Sequence, residues 1–284
     1  MAALFDVLPA SVGTTTLGGD GVCALADKKS LAREALDRLT VRLGFGHSEE
    51  RLVDDAKAYW VDGTAETSWR GFSHFRDAEV FRTTDWTSVG QEHWELFQRL
   101  GRLRGGDEQY SRIVEWGCGG GANALAFAPH CDEFVGVDIN QETLDECGRQ
   151  LAAVPGTHFT PVLADMSNPE AAAEHVGQAD VFLCLYVLEL VPSPEYGLRI
   201  MQIAHDLLKD GGIAFVQTKY QTTDWRTAPR RHRYRGTRAA SMTSYPIDTF
   251  WTQMTDLGFQ PEACFLVPHN ALDERYAYYL LSKR

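Results

Sequence analysis

From residue 111 onward, short apolar runs alternate with stretches of helical period: RIVEW then ANALAFAPH, EFVGVDI then QETLDECGRQLAA, HFTPVLA then PEAAAEHVG, DVFLCLYV then YGLRIMQIAHDLL, and GIAFVQTKY then IDTFWTQMTDLGF. Strand-length apolar runs that each lead into an amphipathic helix predict right-handed βαβ crossovers and a parallel sheet covered by helices on both faces. ACFLVPH and RYAYYLLSK, joined by a short polar segment, predict an antiparallel hairpin that closes one sheet edge. The expected class is α/β, mostly parallel, with a C-terminal antiparallel hairpin and an N-terminal helical cap.

The cap is read from the first third of the chain. Residues 1 to 25 are rich in Gly, Thr and Ala without periodicity and are expected to be an irregular arm. Leu31, Ala35, Leu36, Leu39 and Leu43 recur at helical spacing and stop at Gly44 and Gly46. A second helix is expected after Ser48, carrying Leu52, Val53, Ala56 and Tyr59 towards Gly63. A third runs from Gln91 to near Arg104 with Trp94, Phe97, Leu100 and Leu103 on one face. Between them, Trp60, Trp69, Phe72, Phe75, Phe81 and Trp86 keep neither the helix nor the strand period, which suggests an aromatic cap over the core or a lid over a substrate pocket. The division expected is an arm, helices and aromatic lid over 1–110, followed by the βα domain over 111–284.

Composition narrows the function. The chain has 284 residues, 44% of them hydrophobic, and a formal net charge of -12, which opposes general nucleic-acid binding because such proteins neutralise phosphates with a basic surface. Cys23, Cys118, Cys131, Cys147, Cys184 and Cys264 form no C-x-x-C pair, so neither a zinc site nor a disulfide framework is expected, and no Asp/Glu/His cluster implies another metal. The N-terminus lacks a basic leader followed by an apolar run, and no stretch approaches the ~20 apolar residues of a membrane span. A cytoplasmic protein, possible as a homodimer, is the expectation.

The chemistry sits in RIVEWGCGGGANALAFA, residues 112–128. A strand ending in Gly117-x-Gly119-x-Gly121 before a helix lets backbone N–H groups approach a ligand. The same letters admit a dinucleotide reading, G-x-G-x-x-A through Gly117, Gly119 and Ala122, with Asp138 about 20 residues on for a ribose hydroxyl. Glu115 separates the two. An unpaired carboxylate buried at that strand position costs several kcal/mol or becomes protonated, and a ligand with an ammonium group, such as S-adenosylmethionine, would satisfy it.

With these residues in hand, 111–284 resembles a class I S-adenosylmethionine-dependent methyltransferase of the small-molecule type, on a Rossmann-like sheet. The resemblance implies that Glu115, Gly117, Cys118, Gly119 and Gly121 hold the cofactor, that Asp138 in VGVDIN takes its ribose hydroxyls beside Ile139, and that Asp165 and Met166 of LADM meet the adenine. It further implies Cys184 and Tyr186 at the end of the fourth strand, a fifth strand from LLKDGGIAFV, and the terminal hairpin as strands six and seven.

On the acceptor side, Tyr186 and Glu189 fall at the carboxyl ends of the strands, where open α/β sheets keep their sites. Leu190 stands where relatives carry the His of an L-E-H pattern. His74 is the other candidate base, Arg70 a candidate for the cofactor's carboxylate, and Trp69 a substrate contact within the aromatic segment; His269 is a weaker candidate. KYQTTDWRTAPRRHRYRGTR carries Lys219, Arg226, Arg230, Arg231, Arg233, Arg235 and Arg238 against Asp224. With Tyr220, these cations suggest recognition of a carboxylate or phosphate. The function expected is methyl transfer, at oxygen foremost, to a small anionic molecule: a carboxylate, phosphate or acidic sugar. The alternatives are an RNA or protein methyltransferase docking through the Arg-rich loop 226–238, a C-methyltransferase, and a catalytically silent fold used for assembly.

Overall fold

The computed structural model describes residues 45–61, 86–102, 109–231, 243–267 and 275–284, together with positions 36, 39–41 and 43. Positions 36 and 39–41 are helical; the rest of the expected first helix lies outside the described residues, as do Cys23 and the aromatic segment 62–85. The described residues from 39 onward gather into one compact unit.

Helix α1 spans Glu49–Trp60, with Ser48 as its N-cap accepting from the Arg51 N–H, acids in the first turn and Lys57 in the last. Helix α2 spans Trp86–Gly101. It begins five residues ahead of the expected Gln91, because Thr, Ser, Val and Gly give its first turn no helical signature. The alternation then runs β1 Tyr110–Trp116, α3 Ala122–Phe127, β2 Cys131–Asp138, α4 Gln141–Leu151, β3 His158–Leu163, α5 Glu170–Ala173, β4 Ala179–Cys184, α6 Pro194–Leu207, β5 Leu208–Gln221, β6 Tyr245–Pro246, α7 Ile247–Asp256, β7 Phe259–Val267 and β8 Tyr276–Lys283. The two-residue β6, paired with β5, carries no sequence signal, and β5 begins earlier than its apolar core suggests because Lys209–Gly212 extend it.

The sheet order is β3-β2-β1-β4-β5-β8-β7. The pairs from β3 to β5 are parallel, and β8 is antiparallel to both β5 and β7. One face buries Val114, Phe182, Val216, Ile200, Met201 and Phe250 together with Leu52, Val53 and Ala56 of α1. The other buries Ile113, Phe134, Phe215 and Leu280 together with Trp94, Phe97 and Leu100 of α2. The two N-terminal helices therefore complete opposite layers of the sandwich. Among the described residues no helix is long and apolar enough to cross a membrane.

Helix α2 lies backbone to backbone on α3 at Gly90, where a β-carbon would overlap the Ala122 carbonyl oxygen. Replacing Gly90 by Ala is expected to cost about 1–3 kcal/mol of stability, as overpacking does when a backbone must shift. Urea unfolding of the variant beside the parent checks this.

Candidate functional site

The strand ends open into a cleft with about 120 Å³ of internal volume. Its floor comes from Trp116, Gly117 and Gly119 after β1, Val137 to Asn140 after β2, and Ala164 and Met166 after β3. Leu185, Tyr186 and Val187 follow β4, and Trp60 of α1 and Tyr196 and Ile200 of α6 close the sides.

The glycine turn is built for close approach. Gly117 sits at φ +75°, and a side chain there would collide with Val187; Gly121, at φ +94°, caps α3. The turn is locked to its neighbour strand, since the Gly117 and Cys118 N–H groups donate to the Val137 carbonyl at 2.7 and 3.1 Å. Asp138 tightens the same corner, accepting from the Gly119 N–H at 3.1 Å and the Asn140 N–H at 3.1 Å. Burial pushes its carboxyl up to about 6, against those backbone donors. Asn140 donates to the Trp60 carbonyl at 2.9 Å and caps α4 through its side chain, so α1 is pinned to the cleft.

Glu115 lies one layer deeper, fully buried between Gly136 of β2 and Leu183 of β4. It accepts from Asn123 Nδ2 at 2.7 Å through Oε1, while Oε2 has no partner. Burial raises its carboxyl from 4.5 to about 8, the Asn123 bond opposing and the charge of Asp138 adding. Because the folded value is raised, its contribution to stability is full below about 4.5 and is lost as pH rises through about 8.

The other expected positions are distributed unevenly. Ile139 and Met166 line the cleft, Cys118 and Cys184 are buried, and Asp165 is exposed, held by Lys57 at 3.0 Å and by the Ser167 N–H. Tyr186 is on the cleft wall at φ +56°. Glu189 is buried behind it, donated to by Gln217 at 3.0 Å, and raised to about 7 by burial, with Lys219 and Gln217 opposing. Lys219 is also buried, 5.7 Å from the centre of the Tyr276 ring, and the Tyr220 carbonyl accepts from Arg275. Arg230 is buried, and Arg231 pairs with Glu195. Trp69, Arg70, His74, Arg233 and His269 lie outside the described residues.

Sequence reasoning missed Asn140, His93, Asn123, Gln217 and Tyr278, and took Trp60 only as one of the aromatics of a cap or lid. His93 had a signal: with Phe97 and Leu100 it forms the i, i+4, i+7 stripe of α2, a polar residue on an apolar face.

A family of methyltransferase domains matches residues 90–263. The ubiquinone biosynthesis O-methyltransferase of Vibrio parahaemolyticus is 34% identical over 107 residues, 38% of this chain and 43% of that protein. Its counterpart from Leptothrix cholodnii is 29% identical over 121 residues, 43% of this chain and 47% of that protein. The chain thus spans under half the length of these curated relatives. Among solved structures, magnesium protoporphyrin IX methyltransferase from Synechocystis with bound S-adenosylmethionine aligns with TM-score 0.57 at 14% identity, covering 81% of this chain and 97% of that one. The N-methyltransferase NodS from Bradyrhizobium japonicum, in complex with S-adenosylhomocysteine, aligns with TM-score 0.52 at 15% identity over 83% and 97%.

The fold is that of a methyltransferase domain. The chain belongs to the methyltransferase-domain family, in the class I S-adenosylmethionine-dependent group.

The residues present fit that cofactor on two observations: a turn that a β-carbon at Gly117 would block, and a buried acidic oxygen at Glu115 without a partner. If Glu115 ionises when the donor's ammonium group arrives, binding near neutrality releases a proton. Affinity then rises by nearly tenfold per pH unit below about 8, until the α-amine itself, of ordinary pKa about 8, deprotonates. Calorimetry in two buffers of different ionisation heat is expected to show proton release in the parent and none in Glu115→Gln. Asp138→Ala is expected to weaken donor binding by about 10- to 100-fold, the scale of a lost hydrogen bond to a charged group.

Proposed function

We propose that the chain methylates an oxygen of a small molecule held in this cleft. The observation that carries the reading is the placing of Tyr186, whose phenol is set on the wall just past β4 while the donor-side residues Glu115, Gly117 and Asp138 gather at the ends of β1 and β2. The printed names of the sequence relatives, O-methyltransferases, support oxygen as the acceptor atom.

When bound, S-adenosylmethionine supplies an electrophilic methyl group on a sulfonium. The chain's own contribution is positioning and exclusion of water. Asp138 offers two carboxylate oxygens to ribose hydroxyls, and Glu115 offers its unpaired oxygen to an amine. Trp60, Trp116, Val187, Leu190 and Ile200 make most of the wall apolar, which keeps water from competing and suits a flat, weakly polar acceptor. Tyr186 is the side chain proposed to meet the reacting oxygen.

An acceptor already charged, as a carboxylate, phosphate or acidic sugar, would draw on Lys219, Arg230 and Arg231 near the end of β5. None of these three lies on the described wall, and Arg231 is committed to Glu195. A hydroxyl is therefore the favoured group, and the setting proposed is the cytoplasm, in keeping with free thiols at Cys118, Cys131, Cys147, Cys184 and Cys264.

The test is incubation with methyl-labelled S-adenosylmethionine and separate panels of phenols, carboxylic acids, phosphate esters, amines, bulk RNA and protein, with the product solved by NMR. The expected result is an O-methyl signal on a phenolic or enolic hydroxyl. Label only on carbon, on nitrogen, or in RNA or protein would overturn the reading.

A further inference from the structure

Helix α1 lies outside the stretch 90–263 that matches the methyltransferase-domain family, yet its last residue forms part of the cleft wall. Three polar contacts fix where along the cleft it sits. Glu49, at the head of α1, accepts from Ser193, the N-cap of α6, at 2.8 Å. Lys57 donates to Asp165, just past β3, at 3.0 Å, and the Trp60 carbonyl accepts from Asn140, just past β2, at 2.9 Å. The helix therefore finishes beside the ends of β2 and β3. The Asn140 N–H donates in turn to Asp138 at 3.1 Å, so a single residue links the Trp60 main chain to the carboxylate placed to hold the donor's ribose.

The strand order β3-β2-β1 divides the cleft by chemistry. Glu115 on β1, with Oε2 unpartnered, suits the donor's amine, and Asp138 at the end of β2 suits its ribose. In S-adenosylmethionine the ribose separates the sulfonium arm from the base, so the base continues from Asp138 towards β3. Ile139, Met166 and Trp60 line the cleft on that side, and none of them carries a charge. Asp165, expected to take the adenine amino group, is not on that wall. Its side chain is 54% exposed, and Oδ1 accepts from Lys57 and from the Ser167 N–H at 2.9 Å. The Trp60 side chain is the opposite case: it is 9% exposed and packs into the core beside Leu52, Val53 and Ala56. Tyr59 meets the indole edge-on, with ring centres 4.9 Å apart and planes at 83°, so the ring has a set orientation.

We propose that Trp60 is a donor-binding residue whose indole packs against the adenine of S-adenosylmethionine, so that this chain reads the base through an aromatic contact from α1 rather than through the Asp165 carboxylate. Adenine is flat and uncharged, and its π face meets an indole without needing a hydrogen-bond partner. The contact holds the donor and leaves the sulfonium to the residues nearer β1 and β4. Nothing in it depends on which atom accepts the methyl group. Because α1 supplies one wall, donor and helix stabilise each other: the donor binds the docked helix and shifts its opening equilibrium by mass action.

The first test uses the full chain labelled with 5-fluorotryptophan. Among the seven tryptophans, the ¹⁹F signal of Trp60 is assigned by its loss in Trp60→Phe. Saturating 5′-methylthioadenosine, which carries base and ribose without the amino-acid arm, is expected to shift that signal, and methionine to leave it in place. The second test is calorimetry. Trp60→Ala is expected to weaken S-adenosylhomocysteine and 5′-methylthioadenosine by the same factor, about 5- to 150-fold, the usual worth of an aromatic ring stacked on a base. Trp60→Phe is expected to regain most of that loss. Amide hydrogen exchange over residues 49–60 shows whether α1 stays docked in Trp60→Ala; if it comes loose, Trp60→Phe and the ¹⁹F shift decide the matter. A Trp60 signal that bound 5′-methylthioadenosine does not move would overturn the proposal. So would a docked Trp60→Ala chain that binds both ligands as tightly as the parent, or one that loses affinity for S-adenosylhomocysteine alone.

Discussion

A fully buried carboxylate constrains more of this molecule than any other group. Glu115 lies on β1 between two paired strands with no exposed surface, and a lone buried charge costs more than most single contacts return. Asn123 meets part of that cost by donating to one oxygen. To do so it must project inwards from the first turn of α3, and this fixes how α3 leaves the glycine turn. Its amide oxygen then needs a donor, which His93 supplies from α2. Helix α2 can come close enough only because Gly90 has no side chain where it meets Ala122. One acidic residue at the end of β1 thus organises two helices as well as the turn.

The opposite face obeys a related logic with other residues. Helix α1 is secured where the cleft needs a wall: its last carbonyl, Trp60, accepts from Asn140, Lys57 pairs with Asp165, and Glu49 accepts from Ser193 at the head of α6. Two of these contacts join the helix to residues just past strand ends, and the third to the head of α6. Asp165 is more than half exposed, so its pair with Lys57 contributes little to stability and serves mainly to aim the carboxylate. Helix α1 is thus a wall of the site, while α2 packs on the other face of the sheet.

The parallel sheet and the hairpin were legible because strand and helix periods differ, and RIVEW, EFVGVDI and DVFLCLYV hold theirs without interruption. The donor corner was legible too, since Gly117, Gly119, Gly121 and Asp138 are local to single turns. What the chain does not spell out is register. Gln217 and Tyr278 lie 61 residues apart and face each other only because β8 pairs antiparallel with β5, with Lys219 opposite Tyr276 in the same ladder. Nothing local in KYQ or RYAYY announces this. The arginine-rich stretch misled for a related reason. Charge density in sequence suggests a solvent-facing or ligand-facing patch, yet Arg230 and Lys219 are folded inwards and Arg231 is tied to Glu195.

One of those cations, Lys219, has a use that bears on Tyr186. A tyrosine at φ +56° is unfavourable by about 1–3 kcal/mol and persists only when its surroundings fix it. Its N–H donates to Gln217 Oε1 at 2.6 Å, and Gln217 in turn donates to Glu189 at 3.0 Å. The charge of Lys219 favours the ionised form of Glu189 against the burial that raises it. The backbone of Tyr186 is thus held from the β5 side and its hydroxyl from the β8 side. A side chain restrained at both ends on a cleft wall is suited to meeting one atom of a substrate in one orientation. With Lys219 spent on that restraint and Arg231 on Glu195, the function proposed leaves selection of the acceptor to the shape of the apolar wall and the position of a single phenol oxygen.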